Sequence, residues 1–210
     1  MTHPLLTVTC NPAPAPGHNE IERLVPAGSP WVFLEWPLPP EESDVPILKP
    51  TMDAICKGLL ASGSLAFRWD EDEASLPGES RFFPPPRRPL LARMTGGILP
   101  LDRDDDTYGV LTTHDPQVAP ALFEWSGWVW AGQAVLVFDP ASADIDAVVD
   151  AVRHGLDWRP RPWLPGVRLL FGPGHDGDFA AVSAADQAAL DRFVGDLTTI
   201  VGDGLMVQKI

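Results

Sequence analysis

Cysteine, lysine and long apolar runs are all scarce in this chain, and each scarcity removes a class of protein. Two cysteines in 210 residues, Cys10 and Cys56, make no disulfide framework, and Cys56 falls on the apolar face of a predicted helix, where a buried free thiol is expected. That favours a reducing compartment. The apolar run from Trp125 to Phe138 is too short to cross a bilayer as a helix and contains Gly127, Gly132 and Gln133. No Lys or Arg precedes Arg23, and the first residues hold no apolar core of the length a secretory signal needs. Together these absences predict a soluble, cytoplasmic protein.

Positive charge is the other shortage. Lys and Arg number 15 against 29 Asp and Glu, a net charge of −14. Nucleic-acid phosphates and an anionic membrane face are repelled over most of such a surface, so neither is an expected partner, whereas a basic protein is attracted. The same charge also keeps a protein dispersed with no partner at all. The proline- and alanine-rich, lysine-poor composition suggests a high-GC bacterial source.

What the chain does contain is material for a substantial core: 45% of its residues are hydrophobic, and 1–210 reads as one α+β domain with a mixed β-sheet and about three helices. Strands are predicted at LLTVTC (5–10), WVFLEW (31–36), SLAFRW (64–69), GGILPL (96–101), YGVLTT (108–113), QAVLVF (133–138), VRLLFG (167–172) and LMVQKI (205–210). GGILPL and YGVLTT bracket DRDDD and predict a hairpin. A further strand precedes QAVLVF, with Trp125, Trp128 and Trp130 as core. Residues 74–95, with FFPPPRRP and Arg81, Arg87, Arg88 and Arg93, read as an extended surface loop whose arginines answer nearby acids; the alternative is a proline-rich ligand for an aromatic groove.

Three helices follow from apolar spacing. The first starts at Pro50, carries Met52, Ile55, Cys56, Leu59 and Leu60 on one face, and stops at Gly63 in a left-handed conformation. The second is capped by Ser142 and buries Ile145, Val148, Val149, Val152 and Leu156. The third opens with SAAD, Ser183 capping and Asp186 reaching back, turns Leu190, Phe193, Val194, Leu197, Ile200 and Val201 inward, and ends at Gly202 or Gly204. The order strand, acidic loop, helix, strand, acidic loop occurs at 31–72 and again at 133–176. This suggests two similar strand–helix–strand units, with the helices at 50–62 and 142–156 as crossovers between parallel strands.

No motif passes the tests of a catalytic or cofactor site. Gly172, Gly174 and Gly177 satisfy G-x-G-x-x-G after a strand, but the next helix begins only near Ser183, and Asp176 and Asp178 would oppose a pyrophosphate, so a glycine-rich turn is preferred and no cofactor is expected. His175, Asp176 and Asp178 are metal-binding residue types, and a metal-dependent hydrolase using the 172–178 loop is the alternative function; His114-Asp115 repeats the dipeptide elsewhere and could converge on the same site, and a solvated loop is preferred to a metal site. Asp102, Asp104, Asp105 and Asp106 alternate like a calcium loop, but Thr107 stands at the obligatory glycine. Ser126 lacks a nucleophile elbow, and neither cysteine has a neighbouring histidine in sequence.

The remaining signal is collective. Four acidic segments, 41–44, 70–73, 102–106 and 175–178, punctuate the chain. The expectation is a non-enzymatic acidic module of the immunity or antitoxin type that occludes a basic toxin, contacted through Asp70, Glu71, Asp72, Glu73, Asp102, Asp104, Asp105 and Asp106. A structural role, with exposed tryptophans as an oligomer interface, is the third reading, and the sequence does not fix an oligomeric state.

Overall fold

The computed structural model describes residues 5–10, 28–36, 45–70, 78–83, 108–117, 135–153, 163–173 and 179–209. Their strands are β1 (Leu6–Cys10), β2 (Trp31–Glu35), β3 (Ser64–Asp70), β4 (Glu79–Phe83), β5 (Tyr108–Thr113), β6 (Val135–Phe138), β7 (Val167–Pro173), β8 (Phe179–Ala184) and β9 (Leu205–Lys209). The helices are α1 (Val45–Ser62), α2 (Ile145–Arg153) and α3 (Gln187–Val201), the last running through a 3-10 turn at Gly202–Gly204 into β9. All nine strands form one mixed sheet in the order β4-β5-β3-β6-β7-β8-β2-β1-β9, an α+β fold as expected. Every neighbouring pair is antiparallel except β1–β9.

The middle of this sheet is covered on both faces, which explains why β6 reads as a continuous apolar run rather than an alternating one. On one face Val135, Val137, Leu169 and Phe171 join Leu6, Val8, Val32 and Leu34 beneath Ile55 and Leu59 of α1 and Leu190, Phe193 and Leu197 of α3. On the other, Leu136, Phe138, Ala66, Val110 and Leu170 pack beneath Val148, Val149 and Val152 of α2. Fully burying one such side chain contributes roughly 1.5–3 kcal/mol, so each cover is worth several times the net effect of any surface contact.

Several local expectations change. α1 begins at Val45, not Pro50, and keeps Pro50 in its interior. The ring removes one backbone donor, and the loss is offset by the buried face of Met52, Ile55, Cys56, Leu59 and Leu60 and by Thr51 Oγ1 donating to the Leu5 carbonyl at 3.3 Å. Gly63 follows the helix but is not left-handed. It is required because a Cβ there would stand 2.5 Å from the Phe138 carbonyl oxygen. The α2 cap is Asp144, whose Oδ1 accepts from Asp146 N and Ala147 N at 3.0 and 3.2 Å, not Ser142. Ser183 does not cap α3 either: it lies buried in β8, its hydroxyl donating to the Pro30 carbonyl, while Asp186 is the cap and accepts from Ala189 N at 2.7 Å.

The repeated order strand, helix, strand is present, but the two units connect differently. β2 and β3 are parallel and separated by β8, β7 and β6, so α1 does cross between parallel strands. β6 and β7 are antiparallel neighbours, so α2 is an excursion over one face and not a parallel crossover. The expected GGILPL–YGVLTT hairpin is also corrected: both sides of β5 are already occupied, by β3 and by β4, whose ESRFF forms an edge strand within the stretch read as loop. GGILPL itself lies outside the described residues, as do Trp125, Trp128, Trp130 and Leu156.

At the foot of β6, β7 and α1, Arg168 ties three elements together. Its Nη2 donates to Asp139 Oδ2 at 2.7 Å and its Nη1 to the Ser62 carbonyl at 3.0 Å. The Ala141 N–H on Asp139 Oδ1 first, and with it Arg168, hold the Asp139 carboxyl below its ordinary value of 3.8 against the opposing effect of desolvation. A folded-state pKa lowered in this way gives stability that is present above the ordinary value and lost as pH falls through the folded one. Asp139→Asn should therefore unfold at lower urea than the parent at neutral pH, and the gap should close on acidification below 3.8; a gap independent of pH would contradict the ion-pair account. Gly63→Ala should destabilise by about 1–3 kcal/mol through overpacking against backbone. Gly195→Ala, on an exposed turn of α3 where a Cβ meets nothing within 4 Å, should stabilise by up to about 1 kcal/mol in the same urea titration.

Candidate functional site

The alternating strand directions sort the connections between the two ends of the sheet. Glu35 ends β2, Asp70 ends β3 and Pro173 ends β7 at one end, where β5 starts at Tyr108 and β8 starts at Phe179. α1 also enters from this end, since Thr51 bonds to Leu5 beside the start of β1, while Gly63 packs on Phe138 at the far end. From β2 to β5 is five interstrand steps, roughly 24 Å at about 4.8 Å each.

These ends flank the four acidic segments. Residues 41–44 lead into Val45, Asp70 is itself the last residue of β3, 102–106 lie just before Tyr108, and 175–178 lie between Pro173 and Phe179. Those 17 residues hold 13 of the chain's 29 carboxylates and a single arginine, Arg103. Of the candidate contact residues, Asp70 is described as a backbone position paired with Tyr108. Glu71, Asp72, Glu73, Asp102, Asp104, Asp105 and Asp106 lie outside the described residues.

The alternative metal residues are only bracketed by the described chain. His175, Asp176 and Asp178 lie outside the described residues, but their flanking residues Pro173 and Phe179 are at the acidic end of the sheet. His114 and Asp115 follow β5 at the opposite end, level with the start of β7, roughly 20 Å away along the strands. Asp115 instead closes a local turn, its Oδ1 accepting from Gln117 N at 2.8 Å. Among the described residues no group of three or more His, Cys, Asp or Glu side chains is arranged to hold a metal.

The glycine motif is equally constrained by topology. A dinucleotide loop needs a helix N-terminus after its strand; here β7 is followed by the antiparallel strand β8, which pairs with it from Pro173↔Ala180 to Leu169↔Ala184. Gly172 is a buried residue of β7, and the loop is a hairpin connection. β8 is the element that sequence reasoning missed: AAVSA is alanine-rich, and its pattern of consecutive small residues carries no strand signal.

Two cavities open among the described residues. One, of about 310 Å³, lies between α3 and the β1–β2–β9 end of the sheet and is lined by Cys10, Trp31, Val32, Leu190, Asp191 and Val207. Its Asp191 carboxylate already accepts from Gln187 Nε2 at 2.8 Å. The other, of about 450 Å³, is lined by Leu5, Pro50, Asp53, Ala54, Lys57 and Ile200. Among the described residues neither brings a nucleophile beside a histidine. No helix among the described residues is long and apolar enough to cross a membrane. No protein-family model, curated protein or solved structure matches the chain.

Cys56 is a packing residue. It is 5% exposed, and burial first, then the Asp53 charge, push its thiol up to about 12. A protonated, enclosed thiol is inert, so iodoacetamide at about pH 8 should label the partly exposed Cys10 in native protein and reach Cys56 only after denaturation. Native labelling of Cys56, read by peptide mass, would return it to the list of nucleophile candidates.

Proposed function

We propose that the protein is an acidic protein-binding module that captures a basic partner at one end of its sheet, in the manner of an immunity or antitoxin protein masking a cationic toxin. One observation supports this reading above others: the strand ends that flank all four acidic segments lie at the same end of the sheet, within a span of roughly 24 Å. A span of that size matches the footprint of a standard protein interface, about 800 Å² per partner. Dispersal of charge for solubility alone requires no such grouping of the flanking strand ends. The 84–107 connection also carries Arg87, Arg88 and Arg93, so the excess of negative charge rests chiefly on 41–44 and 70–73. Carboxylates gathered at one end steer a cationic surface into register and raise its association rate.

Lysine substitution at Asp70, Asp72, Asp104 and Asp106 together should slow association with the basic product of a neighbouring gene by on the order of tenfold or more at about 50 mM salt. The same variant should show a flatter dependence of rate on salt up to about 500 mM. Reversal of Asp115 and Asp191, away from this end, should have a much smaller effect. Surface plasmon resonance measures both quantities. Equal rates and equal salt slopes for the parent and the fourfold variant would sink the proposal.

A further inference from the structure

The end of the sheet that the acidic segments flank also carries the larger of the two cavities, of about 450 Å³. Leu5, whose N–H donates to the Gly204 carbonyl at 2.8 Å and whose own carbonyl accepts from Thr51, leads into β1 there, and Ile200 and Val201 finish α3 beside it. β1 is the neighbour of β2, so the cavity lies one interstrand step, roughly 5 Å, beyond the strand that ends at Glu35. Pro50, Asp53, Ala54 and Lys57, at i, i+3, i+4 and i+7, turn one stripe of α1 toward it.

The lining divides into a covered floor and open walls. Leu5, Ala54 and Val201 are half-buried or buried, whereas Ile200, at 38%, and Lys57 are exposed. A small molecule is held by enclosing roughly 70–90% of its surface, which walls this open do not provide. A side chain projecting from a macromolecule needs less, because the contact around it excludes water. Charge then selects the macromolecule. α1 starts at Val45, where the 41–44 segment ends, and Asp53 and Lys57 stand roughly 12 and 18 Å from it along the helix axis. Negative charge therefore lies on the side of the cavity toward the acidic end, and the lysine lies on the far side. An apolar side chain with a cation next to it complements this order, whereas one flanked by carboxylates is opposed by it.

We propose that this cavity is the apolar anchor point of the acidic end: a basic protein inserts one large aliphatic side chain between α1 and α3, with a lysine or arginine beside it directed toward Asp53 and the 41–44 segment. The inference rests on the capture of a basic partner proposed above and adds where the lifetime of the complex comes from. Carboxylates around the site raise the association rate, and the buried anchor lowers the dissociation rate. Ile200, exposed in the free chain, becomes a wall of the filled cavity.

Nuclear magnetic resonance on the full chain, labelled at its isoleucine methyls, tests this with three capped peptides of sequence KKLKK, KKSKK and EELEE. Affinity is read from the peptide signals and location from the Ile200 methyl. KKLKK should shift that methyl saturably and bind about tenfold more tightly than KKSKK, the change expected for burying most of one leucine. EELEE should leave it unmoved. Ile200→Ser should bring KKLKK down to the affinity of KKSKK, and because Ile200 is exposed its circular dichroism and melting temperature should stay at parental values. Equal affinity of KKLKK and KKSKK, binding of EELEE as tight as that of KKLKK, or a leucine advantage that survives Ile200→Ser overturns the anchor. In the first of these cases cation capture stands if both lysine peptides bind, whereas binding by neither removes cation capture and anchor together.

Discussion

Burial of β6 and β7 from both sides is the constraint on which the rest of the molecule depends. No residue of β6 is more than 2% exposed, and Leu169, Leu170 and Phe171 of β7 are at most 3% exposed. A strand of that kind needs paired neighbours along both edges and a helix above each face. The chain meets the need with α1 and α3 on one side and α2 on the other. The close approaches follow: Gly63 passes against the Phe138 carbonyl, and Gly166, at φ 78°, passes against the backbone of Ala143. Arg168 and Asp139 stand 45% and 27% exposed, so water screens their attraction, and the pair acts mainly to fix where α1, β6 and β7 end.

How much of this could be read in the residues divides along the same line. Wherever burial leaves a trace, periodic in α1, α2 and α3 and a continuous apolar run in β6, the elements appear in the sequence with boundaries shifted by a few residues. Where small residues are buried by their neighbours the trace vanishes: Ala180, Ala181 and Ala184 of β8 lie in the sheet because β7 and β2 flank them, not because alanine favours a strand. Capping chemistry was ambiguous for a similar reason. Ser142 and Asp144, or Ser183 and Asp186, are equally good caps in isolation, and packing alone selects the aspartates. Strand order was illegible, since the same strand–helix–strand pattern gives parallel strands around α1 and antiparallel neighbours around α2. The acidic segments were plain in composition, but their grouping was not. It follows from the parity of strand directions, which no local stretch encodes.

That grouping separates two jobs. The apolar contacts that hold the sheet lie between its ends, and the carboxylate-rich segments flank one end of it. A partner surface at that end, as proposed above, would be tuned by substitutions outside these apolar contacts.

The pairing of β1 with β9 has a consequence for how the chain acquires its shape. About 200 positions separate Leu6 from Leu205, its register partner, and β2 waits in the same way for β8. Closing a loop of that length costs about 2 kcal/mol more in chain entropy than closing one of about 20 residues. During synthesis the β3 to β7 block can assemble as it leaves the ribosome, while LTVTC and WVFLE, paired with each other, lack their outer neighbours β9 and β8 until those late strands are made. Two early, apolar strands are thus held open the longest, and the vulnerable interval in this protein's life is the interval before Leu205 emerges.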